Sequence, residues 1–230
     1  MAERAMYWEK QKAIVISDAH FGKTGHFRKE GIAVPQAVFR EDMQRLVTLI
    51  QFYNAEQLII VGDLFHSSAN KEHNFFLKWR NDFPSLTILL IKGNHDILKD
   101  EWYTEAGIKL FNRELTIGNF IFTHDIAVIS QQSAVNSQLP IASCALSTVN
   151  CQLPTASERS PADNYFFTGH LHPGILLKST SRQFLRFPCF YFGEHYAILP
   201  AFANFTGLAL VAPNSKDAVF AIVNKEIMRI

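Results

Sequence analysis

Three short apolar runs in this chain each stop at a polar pair. Ala13-Ile14-Val15-Ile16 ends at Ser17-Asp18, Leu58-Ile59-Ile60-Val61 ends at Gly62-Asp63, and Leu86 to Ile91 leads to Gly93-Asn94. Runs of this length, rich in β-branched residues and bounded by Gly, Asp and Asn, predict strands. Between them the period changes. From Gln36 to Tyr53, residues Val38, Phe39, Met43, Leu46, Val47 and Ile50 fall at helical spacing, and Pro35 suits a first helical turn. Ala69 to Phe83 carries Phe75, Phe76 and Trp79 in the same fashion before Pro84 stops it. Strands alternating with helices imply right-handed crossovers and a sheet at least partly parallel, with polar residues collected at the carboxyl ends of its strands.

After Gly107 the pattern turns to that of β-hairpins. Lys109 to Leu115 and Ile117 to Thr123, the latter holding a Gly118-Asn119 turn, read as strands, and the second delivers His124-Asp125 at its end. Tyr165 to Thr168 does the same for Gly169-His170-Leu171-His172. Further strands are expected at Ile175 to Lys178, Phe184 to Phe192, His195 to Leu199, Ala218 to Val223 and Glu226 to Ile230. They form a second, mostly antiparallel sheet packed face to face with the first. The fold class is therefore α/β: two mixed β-sheets packed as a sandwich and flanked by α-helices. From Ile129 to Asn164 the chain is rich in Ser, Gln, Asn, Thr and Pro, and this stretch is expected to be a mobile insertion near the site.

Composition adds bounds. A length of 230 residues, 48% of them hydrophobic, suits one domain spanning 1–230. The net charge of +1 supplies no long-range field to gather nucleic acid, so an anionic substrate must be gripped locally. Met1 to Lys12 lacks the apolar core of a secretory signal, and no run approaches the roughly 20 apolar residues that span a bilayer. The expected compartment is the cytoplasm. Cys144, Cys151 and Cys189 form no CxxC pair and read as bystanders.

The histidines change the picture. Five strand ends present groups that bind metals: Asp18-Ala19-His20, Gly62-Asp63, Gly93-Asn94-His95-Asp96, His124, and Gly169-His170-Leu171-His172. Ligands on rigid strands converging at one rim can hold ions closely. A mix of carboxylate, imidazole and one amide oxygen suits Mn, Fe or Zn, whereas an all-oxygen set suits Mg or Ca.

The order DxH, GD, GNH with an acidic residue, a lone His and GHxH resembles the calcineurin-like metallophosphoesterases. The resemblance implies that Asp18, His20 and His172 bind one divalent ion, that Asn94, His124 and His170 bind a second, and that Asp63 bridges them. It leaves His95 without a metal, as a candidate general acid for the leaving oxygen, with Asp96 orienting its imidazole. Two ions, with Mn foremost, are the implied cofactor.

The run Asp18-Ala19-His20-Phe21-Gly22-Lys23, followed by Phe27-Arg28, Gly31-Ile32 and Val34-Pro35, resembles a narrower bacterial group associated with DNA ligase and helicase partners in DNA damage response. Gly169-His170-Leu171-His172-Pro173 and Leu199-Pro200-Ala201-Phe202 are similar to that group too. The resemblance implies a phosphodiesterase acting on nucleic acid or nucleotides, and small-molecule phosphatase and metal-binding scaffold are the alternatives. Lys23 and Arg28 are candidates for gripping a substrate phosphate, or else solvated loop charges. Gly22-Lys23-Thr24 is not a phosphate-cradling P-loop, since Ser17 stands where that pattern needs glycine.

Overall fold

The computed structural model of the chain describes residues 1–23, 37–65, 71–125, 164–178 and 184–230. The three apolar runs form neighbouring parallel strands of a first sheet. It contains β1 (Met6–Trp8), β2 (Ala13–Ser17), β3 (Gln57–Val61), β4 (Thr87–Ile91) and β5 (Ile108–Phe111), in that order. Only β1 runs antiparallel to its neighbour. Every residue of β2 is buried, as expected of a strand covered on both faces.

Alternation divides these strands between two cores. Ile14, Ile16, Leu58, Ile60, Ile88 and Leu90 point one way, toward Leu46 and Ile50 of α1 (Ala37–Phe52), Phe76 and Trp79 of α2 (Lys71–Asp82) and Tyr103 of α3 (Asp100–Glu105). Val15, Ile59, Val61, Leu89 and Ile91 point the other way and meet Phe122, Phe167 and Phe190 of the second sheet, with Leu199 beside them.

That second sheet has nine strands: β6 (Glu114–Ile117), β7 (Phe120–Thr123), β8 (Tyr165–Thr168), β9 (Pro173–Lys178), β10 (Phe184–Phe192), β11 (Tyr196–Ile198), β12 (Ala209–Leu210), β13 (Ala218–Val223) and β14 (Glu226–Arg229). Antiparallel pairs predominate, but β7, β8 and β11 run parallel to one another. Thr123 is level with Thr168, so the residues that follow, His124 and Gly169, emerge side by side. In the first sheet Ser17, Val61 and Ile91 are likewise in register. Five chain segments thus leave the two sheets at strand carboxyl ends.

The expected strand over 109–115 is two strands. Ile108–Phe111 pairs with β4 in the first sheet, the chain leaves at Asn112-Arg113, and Glu114–Ile117 starts the second sheet. Period-2 alternation does not reveal which sheet a strand joins. Also unforeseen are the short β1, β12 and α3. Among the described residues the α-helices cover one face of the sandwich, and no helix is long and apolar enough to cross a membrane. Of the stretch 129–164 expected to be mobile, all but Asn164 lies outside the described residues.

Candidate metal centre

Each segment leaving a strand carries a ligand-type side chain, and the backbone there is unusual. Asp18, His20, Asp63, His170 and His172 all adopt positive φ, between 45° and 67°. For residues with a Cβ this left-handed conformation costs about 1–3 kcal/mol each, so it persists only where surrounding contacts enforce it. Those contacts are present. The 18–21 and 62–65 loops run alongside each other, with the amides of Asp18, His20 and Phe21 donating to the carbonyls of Gly62, Asp63 and Leu64 at 3.1, 2.8 and 2.8 Å.

The glycines before the candidate ligands have a steric cause. A Cβ on Gly62 would strike the His124 ring, and one on Gly93 would strike the Asp63 carboxylate and amide. A Cβ on Gly169 would collide with the Ser17 hydroxyl and lie 2.6 Å from Asp18 Oδ2. The GD, GN and GH pairs therefore record close approach of one ligand loop to the next.

Two clusters result. Ligand atoms of Asp18, His20 and His172 all lie within 4.8 Å of one another, and so do those of Asp63, His124 and His170. In the first, His20 Nε2 and His172 Nε2 are 3.4 Å apart, and Asp18 Oδ1 is 3.1 Å from the latter nitrogen. In the second, His124 Nε2 is 3.2 Å from Asn94 Oδ1 and 3.5 Å from Asp63 Oδ1. The other oxygen of Asp63 looks the opposite way, 3.9 Å from His20 Nε2. One carboxylate thus faces both clusters.

Depth differs across the pair. Asp18, His20, Asp63 and His124 are buried, His172 is half-buried, and Asn94 and His170 are exposed. Burial drives the His20 pKa down to about 3, which keeps that imidazole neutral and able to donate a lone pair. Burial also opposes the charge on Asp63, but hydrogen bonding to His124 overcomes it and holds the carboxyl at about 2. His124 Nδ1 lies 3.0 Å from the Val61 carbonyl. A carbonyl only accepts, so Nδ1 carries a proton; Nε2 turns to the cluster, where against burial the hydrogen bond to Asp63 raises the pKa of the ring to about 9 and adds a proton that a cation would displace. Converging imidazole nitrogens and ionised carboxylates, with an amide oxygen beside them, fit a pair of divalent cations.

His95 is half-buried at this rim. Its backbone amide donates to Asp63 Oδ1 at 2.9 Å, and its ring lies 5.4 Å from that of His20. Asp96 is buried and engages both oxygens with backbone amides: Oδ1 with Leu64 and Phe65 at 3.0 and 3.2 Å, Oδ2 with Gly93 at 2.9 Å. Its contacts tie the Asp63 loop to the Asn94 loop. Burial raises its pKa to about 6. Lys23 is half-buried beside His20, whose carbonyl accepts its amide at 3.1 Å, and burial lowers its ammonium pKa. Arg28, His26 and His66 lie outside the described residues, as do Cys144 and Cys151. His73 packs edge-on against Phe65, ring centroids 4.7 Å apart, in the helical core.

Ser17 was not singled out in the sequence. Its hydroxyl lies 2.5 Å from Asp18 Oδ2 and 2.8 Å from the Val61 carbonyl, fixing the rotamer of the Asp18 carboxylate. The only signal for it was adjacency to Asp18.

The chain matches the family model of the calcineurin-like phosphoesterases over residues 12–196. Among solved structures it resembles the Pseudomonas putida nuclease MPE, with a TM-score of 0.72 and 24% identity, over 100% of this chain and 93% of that one. No curated protein matches its sequence.

Proposed function

Since this chain belongs to the calcineurin-like phosphoesterases and is a metal-dependent hydrolase, we propose that it cleaves phosphodiesters of nucleic acid or nucleotides, as a DNA repair nuclease does. Asp18, His20 and His172 would hold one ion and Asn94, His124 and His170 the other, with Asp63 shared between them. Mn is the proposed metal, with Fe or Zn as alternatives for the same donors. The observation that carries the reading is the placement of Asp63, whose Oδ1 faces His124 Nε2 at 3.5 Å while Oδ2 faces His20 Nε2 at 3.9 Å.

Two divalent ions supply Lewis acidity, lowering the pKa of water and neutralising charge on the phosphoryl oxygens. The protein's own groups do the rest. Buried Asp18 and Asp63 stay ionised, and neutral His20 keeps its lone pair. His95, one residue from Asn94, gives a proton to the departing oxygen. Lys23 offers a cation at the inner wall, where a phosphate oxygen can replace water around it. Among the described residues Asn94 and His170 are exposed, which suits access by a long substrate from their side. That the same fold serves a nuclease supports this substrate class.

The test is direct. A chelated sample given Mn is assayed on a nitrophenyl phosphodiester, the matching monoester, and single-stranded or nicked DNA. The reading expects diester preference and DNA cleavage. Preference for the monoester would assign a small-molecule phosphatase instead, and silence on all three a scaffold.

A further inference from the structure

The Leu199-Pro200-Ala201-Phe202 run has no part in the proposed chemistry, yet it is buried against the metal loop. Leu199, Ala201 and Phe202 are each at most 2% exposed, and Ala201 forms a parallel bridge with Ser17. The amide of Phe202 donates to the Ser17 carbonyl at 2.7 Å, and that of Ala203 to the Asp18 carbonyl at 3.2 Å. Residues 202–203 are therefore a strap across the backbone that presents Asp18.

The strap's remaining polar groups are held by charged side chains. Arg45 of α1 donates to the Phe202 carbonyl, Arg4 to the Ala203 carbonyl at 2.7 Å, and the Asn204 amide donates to Asp42 Oδ2 at 3.3 Å. Arg45 Nη2 also pairs with Asp42 Oδ1 at 3.1 Å, one helical turn away, and its guanidinium carbon lies 4.2 Å from the Phe202 ring centroid. Residues 202–204 are thus gripped by a partly buried cluster of charged side chains.

We propose that Arg45 and Asp42, assisted by Arg4, are positioning residues for Asp18, acting through this strap. The reasoning starts from desolvation. The Arg45 and Asp42 side chains are only 13% and 6% exposed, and an ion pair removed from water contributes little to stability compared with apolar packing. Its retention is explained by what else it does, which is to satisfy backbone groups that no apolar side chain could. Asp18 sits at φ 52°, a strained conformation that must be imposed from outside. The hydroxyl of Ser17 then transmits the backbone position to the carboxylate at 2.5 Å. A guanidinium stacked on an aromatic ring gives the strap one orientation, where a flexible ammonium would give several.

The inference rests on Asp18 being a ligand, so the test separates the two. Mn uptake by the full, metal-free chain is titrated without substrate, followed by electron paramagnetic resonance, for wild type, Arg45→Ala, Arg45→Lys and Tyr191→Phe. Tyr191 hydrogen-bonds Asp217 in the outer core of the second sheet, so its variant loses stability away from the strap. Arg45→Ala is expected to weaken Mn binding about tenfold, the lower end for a group supporting a ligand. Arg45→Lys recovers part of the loss, and Tyr191→Phe binds as wild type. Should Arg45→Ala not fold, Arg4→Ala is read the same way. Wild-type affinity in the strap variants, or an equal loss in Tyr191→Phe, would overturn the inference alone. A wild-type chain that takes up no Mn would remove the ligand reading and this inference with it.

Discussion

His20 Nε2 and His172 Nε2 face each other across 3.4 Å. Burial keeps His20 neutral, and Asp18 Oδ1 approaches the same gap, so the arrangement is one that a cation would stabilise. Loading with metal should then support the fold by mass action. An ion present at 100 times its dissociation constant adds about 2.7 kcal/mol. For a domain of this size that is roughly 5–10 °C in thermal midpoint. Calorimetry with Mn and then with chelator should show the midpoint rise and return, and a midpoint indifferent to both would contradict the arrangement.

His95 is the test of chemistry apart from binding. His95→Asn keeps the backbone amide that donates to Asp63 Oδ1, so Mn uptake should be unchanged. Turnover should fall by about 10²–10⁴, most on esters with poor leaving groups. Equal losses on good and poor leaving groups would remove His95 from proton transfer.

The glycines discriminate close approach from mere turn geometry. Gly93→Ala places a methyl on the Asp63 carboxylate, and Gly169→Ala places one against Ser17 and Asp18. Both should lose Mn binding. Gly118→Ala is the control: φ is +62° and nothing lies within 4 Å of the added carbon. It should cost about 1 kcal/mol and leave binding intact. If all three variants behave alike in Mn titrations, the steric account of the glycine pairs is wrong.

Asp42 carries a stability signature in pH. Burial pushes its pKa up to about 6 from an ordinary 3.8, against the pull of Arg45. The folded state therefore holds this proton more tightly than the unfolded chain. Its contribution is fully present below 3.8 and is lost as pH rises through about 6. Urea unfolding of wild type and Asp42→Asn should show a stability difference that shifts against wild type by on the order of 2 kcal/mol between pH 4 and 7. A difference flat in pH would mean that Asp42 ionises normally.

Much of this was legible in the sequence for a physical reason. Parallel strands covered on both faces must be continuously apolar, so each first polar residue after such a run marks a strand end. That is why the sequence alone places Asp18, Asp63 and Asn94 at one rim. His124 and His170 were legible by the same logic in the second sheet. Less was legible where long-range pairing decides. The break at Asn112-Arg113 depends on which sheet each half joins, and alternation is identical in both. The grip of Arg4, Asp42 and Arg45 on residues 202–204 crosses more than 150 positions of sequence, with no spacing rule to reveal it. The Asp96 carboxylate has its observed contacts with backbone amides, and amides leave no mark in a side-chain pattern.

The central claim is that Asp63 stands between two cations. Crystals soaked in Mn and measured at its absorption edge test it most directly. Two anomalous peaks about 3.5–4 Å apart, one on each side of the Asp63 carboxylate, are the predicted result. A single peak away from Asp63, or no peak among these side chains, would contradict it.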